Sequence, residues 1–161
     1  MFMPSHTDTR TAARRMPTAA KLVGAVTFFG VGWLAALQVL ATVPEGTQAT
    51  WFPLTIALIG LWQGWSVAGA LAGDGRSAAV ANGLRTSIQI AFVGLVLFAL
   101  RAMFLRSVRL RYDGLGEALG DASDLFIAYA MQSLTLPVWG VLLLGGVIGG
   151  LICEGAARRW R

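Results

Sequence analysis

Hydrophobic and polar positions divide this chain into long uncharged blocks set apart by short charged punctuation. Residues 22–43 hold no charge and residues 51–72 hold none, so each block is 22 residues long. At about 1.5 Å per residue, a helix of that length reaches roughly 33 Å, enough to cross a hydrocarbon core about 30 Å thick. The pattern predicts a first span over residues 19–43, ended by Pro44-Glu45-Gly46. It predicts a second over residues 51–72, with Pro53 tolerated in the opening turn. Gly73-Asp74-Gly75-Arg76 reads as the turn that follows.

The third block is shorter. Only 15 uncharged residues separate Arg85 from Arg101, or about 22 Å of helix. A span over residues 81–105 satisfies the bilayer if both arginines lie near its ends and their long stems reach the headgroups. After Gly114 the pattern changes. Glu117, Asp121 and Asp124 recur at helical spacing on one face, while Leu115, Ala118, Leu119, Ala122, Leu125, Phe126 and Tyr129 fall mostly on the other. This predicts an amphipathic helix at the outer interface. Pro137, with Thr135 as a cap before it, marks the start of a fourth span over residues 136–158. Glu154 stands four residues before Arg158 in that span, at the spacing of a helical ion pair.

The expected fold is therefore an all-α polytopic membrane protein. It has four transmembrane helices plus an amphipathic interfacial helix between spans three and four. Residues 1–15, which carry Arg10, Arg14 and Arg15 and no apolar period, read as a disordered basic arm, and residues 16–161 as the transmembrane domain. Composition agrees: 56% of residues are hydrophobic and 13% charged, about half the charge of a soluble domain. The net charge of +5 then reports topology and anionic lipid rather than nucleic acid. Nine basic residues (Arg10, Arg14, Arg15, Lys21, Arg76, Arg85, Arg158, Arg159 and Arg161) fall on the side shared by both termini. Four, Arg101, Arg106, Arg109 and Arg111, fall on the other. The bias places both termini in the cytoplasm.

Candidate chemistry is sparse. The one cysteine, Cys153, excludes an internal disulfide, and the one histidine, His6, lies in the polar arm. No catalytic residue, cofactor site or metal site is expected: no nucleophile–base pair, phosphate loop or dinucleotide fingerprint is present. An enzyme is the least favoured class. Arg101, Arg106, Arg109 and Arg111 form the candidate contact for an oxyanion or for lipid headgroups, since guanidinium groups suit oxygen donors. The basic face they make is also complementary to the acidic stripe of the next helix. Gly60 and Gly64, Gly69 and Gly73, Gly145 and Gly149, and Gly146 and Gly150 recur at the four-residue spacing that lets membrane helices approach closely, and Gly60, Gly64, Gly145, Gly146, Gly149 and Gly150 are the candidate packing residues. They serve packing within the bundle, or contact with a second copy or a membrane-complex partner. Trp51, Trp139 and Trp160 are placed for an aromatic belt, and Trp33, Trp62 and Trp65 for packing. Gln38, Gln63 and Gln89 are expected to bridge helices. No acidic residue is expected mid-membrane, which counts against a proton-coupled carrier.

A set of segments in fixed order carries a family resemblance: MPTAAKLVGA from Met16, VPEGT from Val43, Gly64-Trp65, SVRLRYDG-x-x-EAL from Ser107 to Leu119, and ARRWR from Ala157. These resemble the TrgA family, small bacterial integral membrane proteins associated with tellurite resistance. The resemblance implies a non-enzymatic contribution to tellurite or envelope-stress tolerance and assigns no site residue. The competing readings are an accessory or assembly subunit of a larger membrane complex, and a small oligomeric transporter.

Overall fold

A computed structural model describes residues 19–42, 51–107 and 114–159. The expected basic arm, the Pro44-Glu45-Gly46 stop, Arg109, Arg111 and Trp160 lie outside the described residues. The described residues form helix α1 (Ala19–Thr42), α2 (Phe52–Gln63) running on into a π turn (Gly64–Ala68), α3 (Arg76–Ser107), α4 (Leu115–Ser133) and α5 (Leu136–Arg159). The fold is all-α. Among the described residues α1, α3 and α5 are long and apolar enough to cross a membrane, and residues Phe52–Ala68 make a shorter apolar helix. That shorter helix reaches about 25 Å.

Helix contacts give the topology. Along α1 and α2, Gly24 meets Gly64, Phe28 meets Gly60 and Gly32 meets Ile56, one number falling as the other rises. The two helices are therefore antiparallel. The same holds for α1 with α5 (Val31 with Gly145, Phe28 with Gly149, Gly24 with Cys153) and for α3 with α5 (Gly83 with Gly146, Ala79 with Gly150). It also holds for α2 with α3, where Ile56 meets Gly94 and the Phe52 and Phe98 rings lie 4.7 Å apart. These four pairings close a ring, in which α1, α2, α3 and α5 alternate in direction. The core holds Phe28, Val31, Ala36, Ile56, Ile90, Leu142 and Cys153. Large apolar side chains face outward all round the perimeter: Val26, Leu58, Trp62, Ile88, Phe92, Leu144 and Ile148 are exposed. In water this surface is a liability, whereas hydrocarbon is its natural solvent. Hydroxyls agree: Thr55 donates to the Trp51 carbonyl, Ser66 to Trp62 and Thr86 to Asn82, each one turn back on its own helix.

Glycine makes the close approaches. A Cβ at Gly83 would run into the Gly146 backbone oxygen, and one at Gly150 into that of Ala79. Gly24 and Gly64 would each, given a Cβ, strike the other's carbonyl oxygen. Without a hydrophobic drive between helices in lipid, such backbone proximity supplies van der Waals contact that bulkier residues forbid. The six candidate packing glycines all lie at helix contacts; of the remaining pair at that spacing, Gly69 lies against α1 and Gly73 takes positive φ in the turn before α3. Gly24 and Gly83 lie at helix contacts too, opposite Gly64 and Gly146, and Gly32 lies against Ile56; no second glycine four residues away marks those three.

Several boundaries differ from expectation. The second span ends as an α-helix at Gln63 rather than continuing to Ala72. The wide turn after it, closed by the Gly69 N–H donating to the Gly64 carbonyl at 2.8 Å, lays both Gly64 and Gly69 against α1. Arg76 belongs to the first turn of α3, because positive φ at Gly73 and Gly75 completes the reversal before it. Helix α3 has 32 residues and overruns the span of residues 81–105 at both ends. Its last nine residues, Ala99 to Ser107, pass beyond the level at which Phe52 opens α2, an overhang of about 14 Å. The amphipathic helix α4 packs chiefly on α3, with Phe92 and Phe126 edge to face at 5.9 Å. Its buried Ala118, Ala122 and Leu125 are the apolar face the periodicity predicts.

Candidate functional site

The bundle has two polar ends and they differ in kind. At the end bearing Lys21 and Arg158, α5 carries Glu154 with its side chain 4% exposed. The Gly73 N–H donates to Oε2 at 2.6 Å and the Gly75 N–H to Oε1 at 3.2 Å. Arg158 Nε donates to Oε1 at 2.8 Å. The helical pair was expected from spacing. The two backbone donors were not, because they come from a turn some 80 residues away in sequence. Nearby, Asn82 Nδ2 donates to the Leu71 carbonyl at 3.3 Å, tying the same turn to α3. This arrangement is a structural knot, in which one carboxylate accepts from two turn N–H groups and one guanidinium.

The opposite end is open. A cleft of about 680 Å³ lies among the last turns of α1, the first of α2, the outer half of α3, the end of α4 and the start of α5. Ala36, Phe52, Ile90, Phe98, Val138 and Leu142 give it apolar walls. Arg101, Thr55, Tyr129, Gln132, Ser133 and Trp139 supply its polar groups. The cleft exists because the backbone-to-backbone glycine contacts stop short of it. Gly94 is the one glycine on its wall, and there the facing group is only the Ile56 Cδ1 methyl. Aromatic and branched side chains then hold the helices apart, and the α3 overhang with α4 on its flank deepens the walls.

The sequence-predicted arginines separate into different roles. Arg106, on the overhang, donates from one Nη1 to both oxygens of Asp121 at 2.7 and 2.9 Å, joining α3 to the acidic face of α4. Arg101 is exposed, lines the cleft and has no hydrogen bond or ion pair among the described residues. Arg109 and Arg111 lie outside the described residues. The described half of the cluster is thus one helix-pairing arginine and one cleft arginine, not a single oxyanion cage.

Other expectations change. Trp62, expected in packing, is 63% exposed on the perimeter, and Trp33 is partly exposed while stacking on Phe29 at 6.3 Å. Both meet lipid because their helix faces point out of the ring. Gln38, Gln63 and Gln89 make no interhelical hydrogen bond among the described residues, and Gln89 Oε1 is buried without a partner. Glycine proximity, not amide bonding, joins these helices. Thr135 does not cap α5 with its side chain: Oγ1 is buried and unpartnered, while its carbonyl accepts from the Trp139 N–H at 3.1 Å. No group of three or more His, Cys, Asp or Glu suited to a metal occurs among the described residues.

Comparison with protein-family models, with curated proteins and with solved structures finds no match.

Proposed function

We propose that this chain is a four-crossing bacterial inner membrane protein, with both termini cytoplasmic, that contributes without enzymatic chemistry to tellurite or envelope-stress tolerance. The alternating ring of four helices with an apolar perimeter supports the four crossings. Helix α2 with its π turn runs antiparallel to both α1 and α3, and its reach of about 25 Å is short for a crossing but tolerable where the bilayer thins. The tolerance reading rests on the ordered segments that resemble the TrgA family. The cleft carries the non-enzymatic part of the reading. Its polar groups are a guanidinium, an amide, hydroxyls and an indole, which suit holding a ligand more than making or breaking bonds.

A deletion strain complemented by the wild-type chain, or by a version with Arg101, Arg106, Arg109 and Arg111 replaced by Gln, tests this. Deletion should sensitise cells to tellurite, and the wild-type chain should restore growth. The arginine-replaced chain should restore less at equal abundance. Unaltered tolerance on deletion overturns the reading.

An accessory-subunit role is the second reading. Gly116 and Gly120, four apart on the exposed side of α4, face open space and leave room for a partner helix. A stoichiometric foreign subunit retained through mild-detergent purification would favour it over the first.

A further inference from the structure

We infer that the cleft at the Arg101 end binds a phospholipid of net negative charge, with an acyl chain between the helices and its phosphate on the Arg101 guanidinium. The inference rests on the chain lying in a bilayer and does not depend on the tolerance reading. Three observations carry it. The volume, about 680 Å³, lies in the ordinary range of small-ligand sites, about 300–1,000 Å³. Apolar side chains of α1, α2, α3 and α5 form the walls, down to Ile90 and Leu142, which are buried. Such walls take a hydrocarbon chain and reject a free inorganic anion, which would lose its hydration with nothing in return. The one charged group is at the rim. Arg101 sits on the α3 overhang, while Tyr129 and Gln132 line the same cleft from the end of α4. The cleft thus has a cationic rim over walls that are mostly apolar.

Charge complementarity selects the headgroup. Arg106 on the same overhang is held by Asp121, whereas Arg101 has no carboxylate partner among the described residues. A lone guanidinium at the edge of a hydrocarbon-filled cleft is matched by a phosphate, which it meets with paired N–H donors. A neutral amphiphile would fill the cleft and leave its rim unmatched. A phospholipid whose headgroup carries its own cation would have that cation compete for the phosphate.

The test uses the full chain in vesicles of equimolar phosphatidylglycerol and phosphatidylcholine, extracted gently and weighed by native mass spectrometry. The wild type should retain lipid enriched in phosphatidylglycerol by about five-fold, the attraction of one basic side chain for anionic lipid. Arg101→Gln should retain lipid at the vesicle ratio, and Arg101→Lys should recover part of the preference. Ala102→Trp, which fills the cleft from α3, should lose the retained lipid of either kind. Arg101 is exposed, so its variants test the idea even if the tryptophan variant does not fold. Equal retention of both lipids by the wild type overturns the proposal. So does a preference that survives Arg101→Gln, and so does a wild type that retains no lipid. A chain released from membranes without detergent would instead refute the bilayer reading beneath it.

Discussion

The two ends of the bundle use the same residue types, an arginine and a carboxylate, to opposite effect. At one end Glu154 is buried, its partner Arg158 is on the same helix, and two backbone N–H groups from a distant turn complete its shell. At the other, Arg106 and Asp121 are 42% and 24% exposed and join two helices on an overhang. Removing the buried carboxylate takes the shared acceptor from two part-buried N–H groups and from Arg158 at once. Removing the half-exposed one returns its partner to solvent or to headgroups. Burial, not bond length, separates them, since both pairs include a contact of 2.7 or 2.8 Å. The ends also differ in packing: glycine brings backbones together near Glu154, and side chains prop them apart near Arg101.

The largest break in this contrast is expected from Glu154→Ala. It removes the carboxylate acceptor of the part-buried Gly73 and Gly75 N–H groups, at a cost of about 2 kcal/mol. Glu154→Gln should lose about half that, because an amide oxygen still accepts. Unfolding in mixed micelles against added SDS measures both, and equal losses would show that charge alone matters there. A matched pair on α3 follows closely. Gly83→Ala presses a methyl into the Gly146 backbone and should cost about 2 kcal/mol. Gly94→Ala, eleven residues on, meets one rotatable methyl of Ile56 and gains about 0.8 kcal/mol of helix propensity, so it should be near neutral. Similar losses at both would mean that the cleft is as tightly closed as the glycine end.

Smaller effects follow at the open end. Asp121→Arg should cost about 1 kcal/mol, most of it recovered on adding Arg106→Asp. Crosslinking between α3 and α4 should fall and rise in step with it. No rescue would mean that apolar contacts alone, Phe92 with Phe126 among them, fix α4. Smallest of all, Ser87→Ala removes a buried hydroxyl with no hydrogen-bond partner and should be neutral or stabilising by a few tenths of a kcal/mol. A clear loss would reveal a partner for Oγ.

Uncharged block length, the acidic stripe of α4 and the four-residue glycine spacing are local properties. They forecast helices, their apolar character, the amphipathic segment and the glycines that would meet other helices. They also forecast Arg158 beside Glu154, one turn apart. The cleft left no such mark. Its lining residues come from five helices and share no spacing. Trp62 shows the same limit: depth along a span follows from sequence position, but the direction it faces follows from which neighbours surround the helix.

The sequence by itself determined that this chain is helical and apolar enough for a bilayer, because hydrocarbon demands long uncharged segments whose backbone groups are satisfied within the segment. Only the tertiary structure decided that Glu154 gathers a turn about 80 residues away, that Arg106 and Arg101 part company, and that the helices separate into a cleft at one end. Those outcomes depend on which glycine meets which carbonyl across an interface, and helix register across an interface is a property of the assembled bundle rather than of any one stretch of chain.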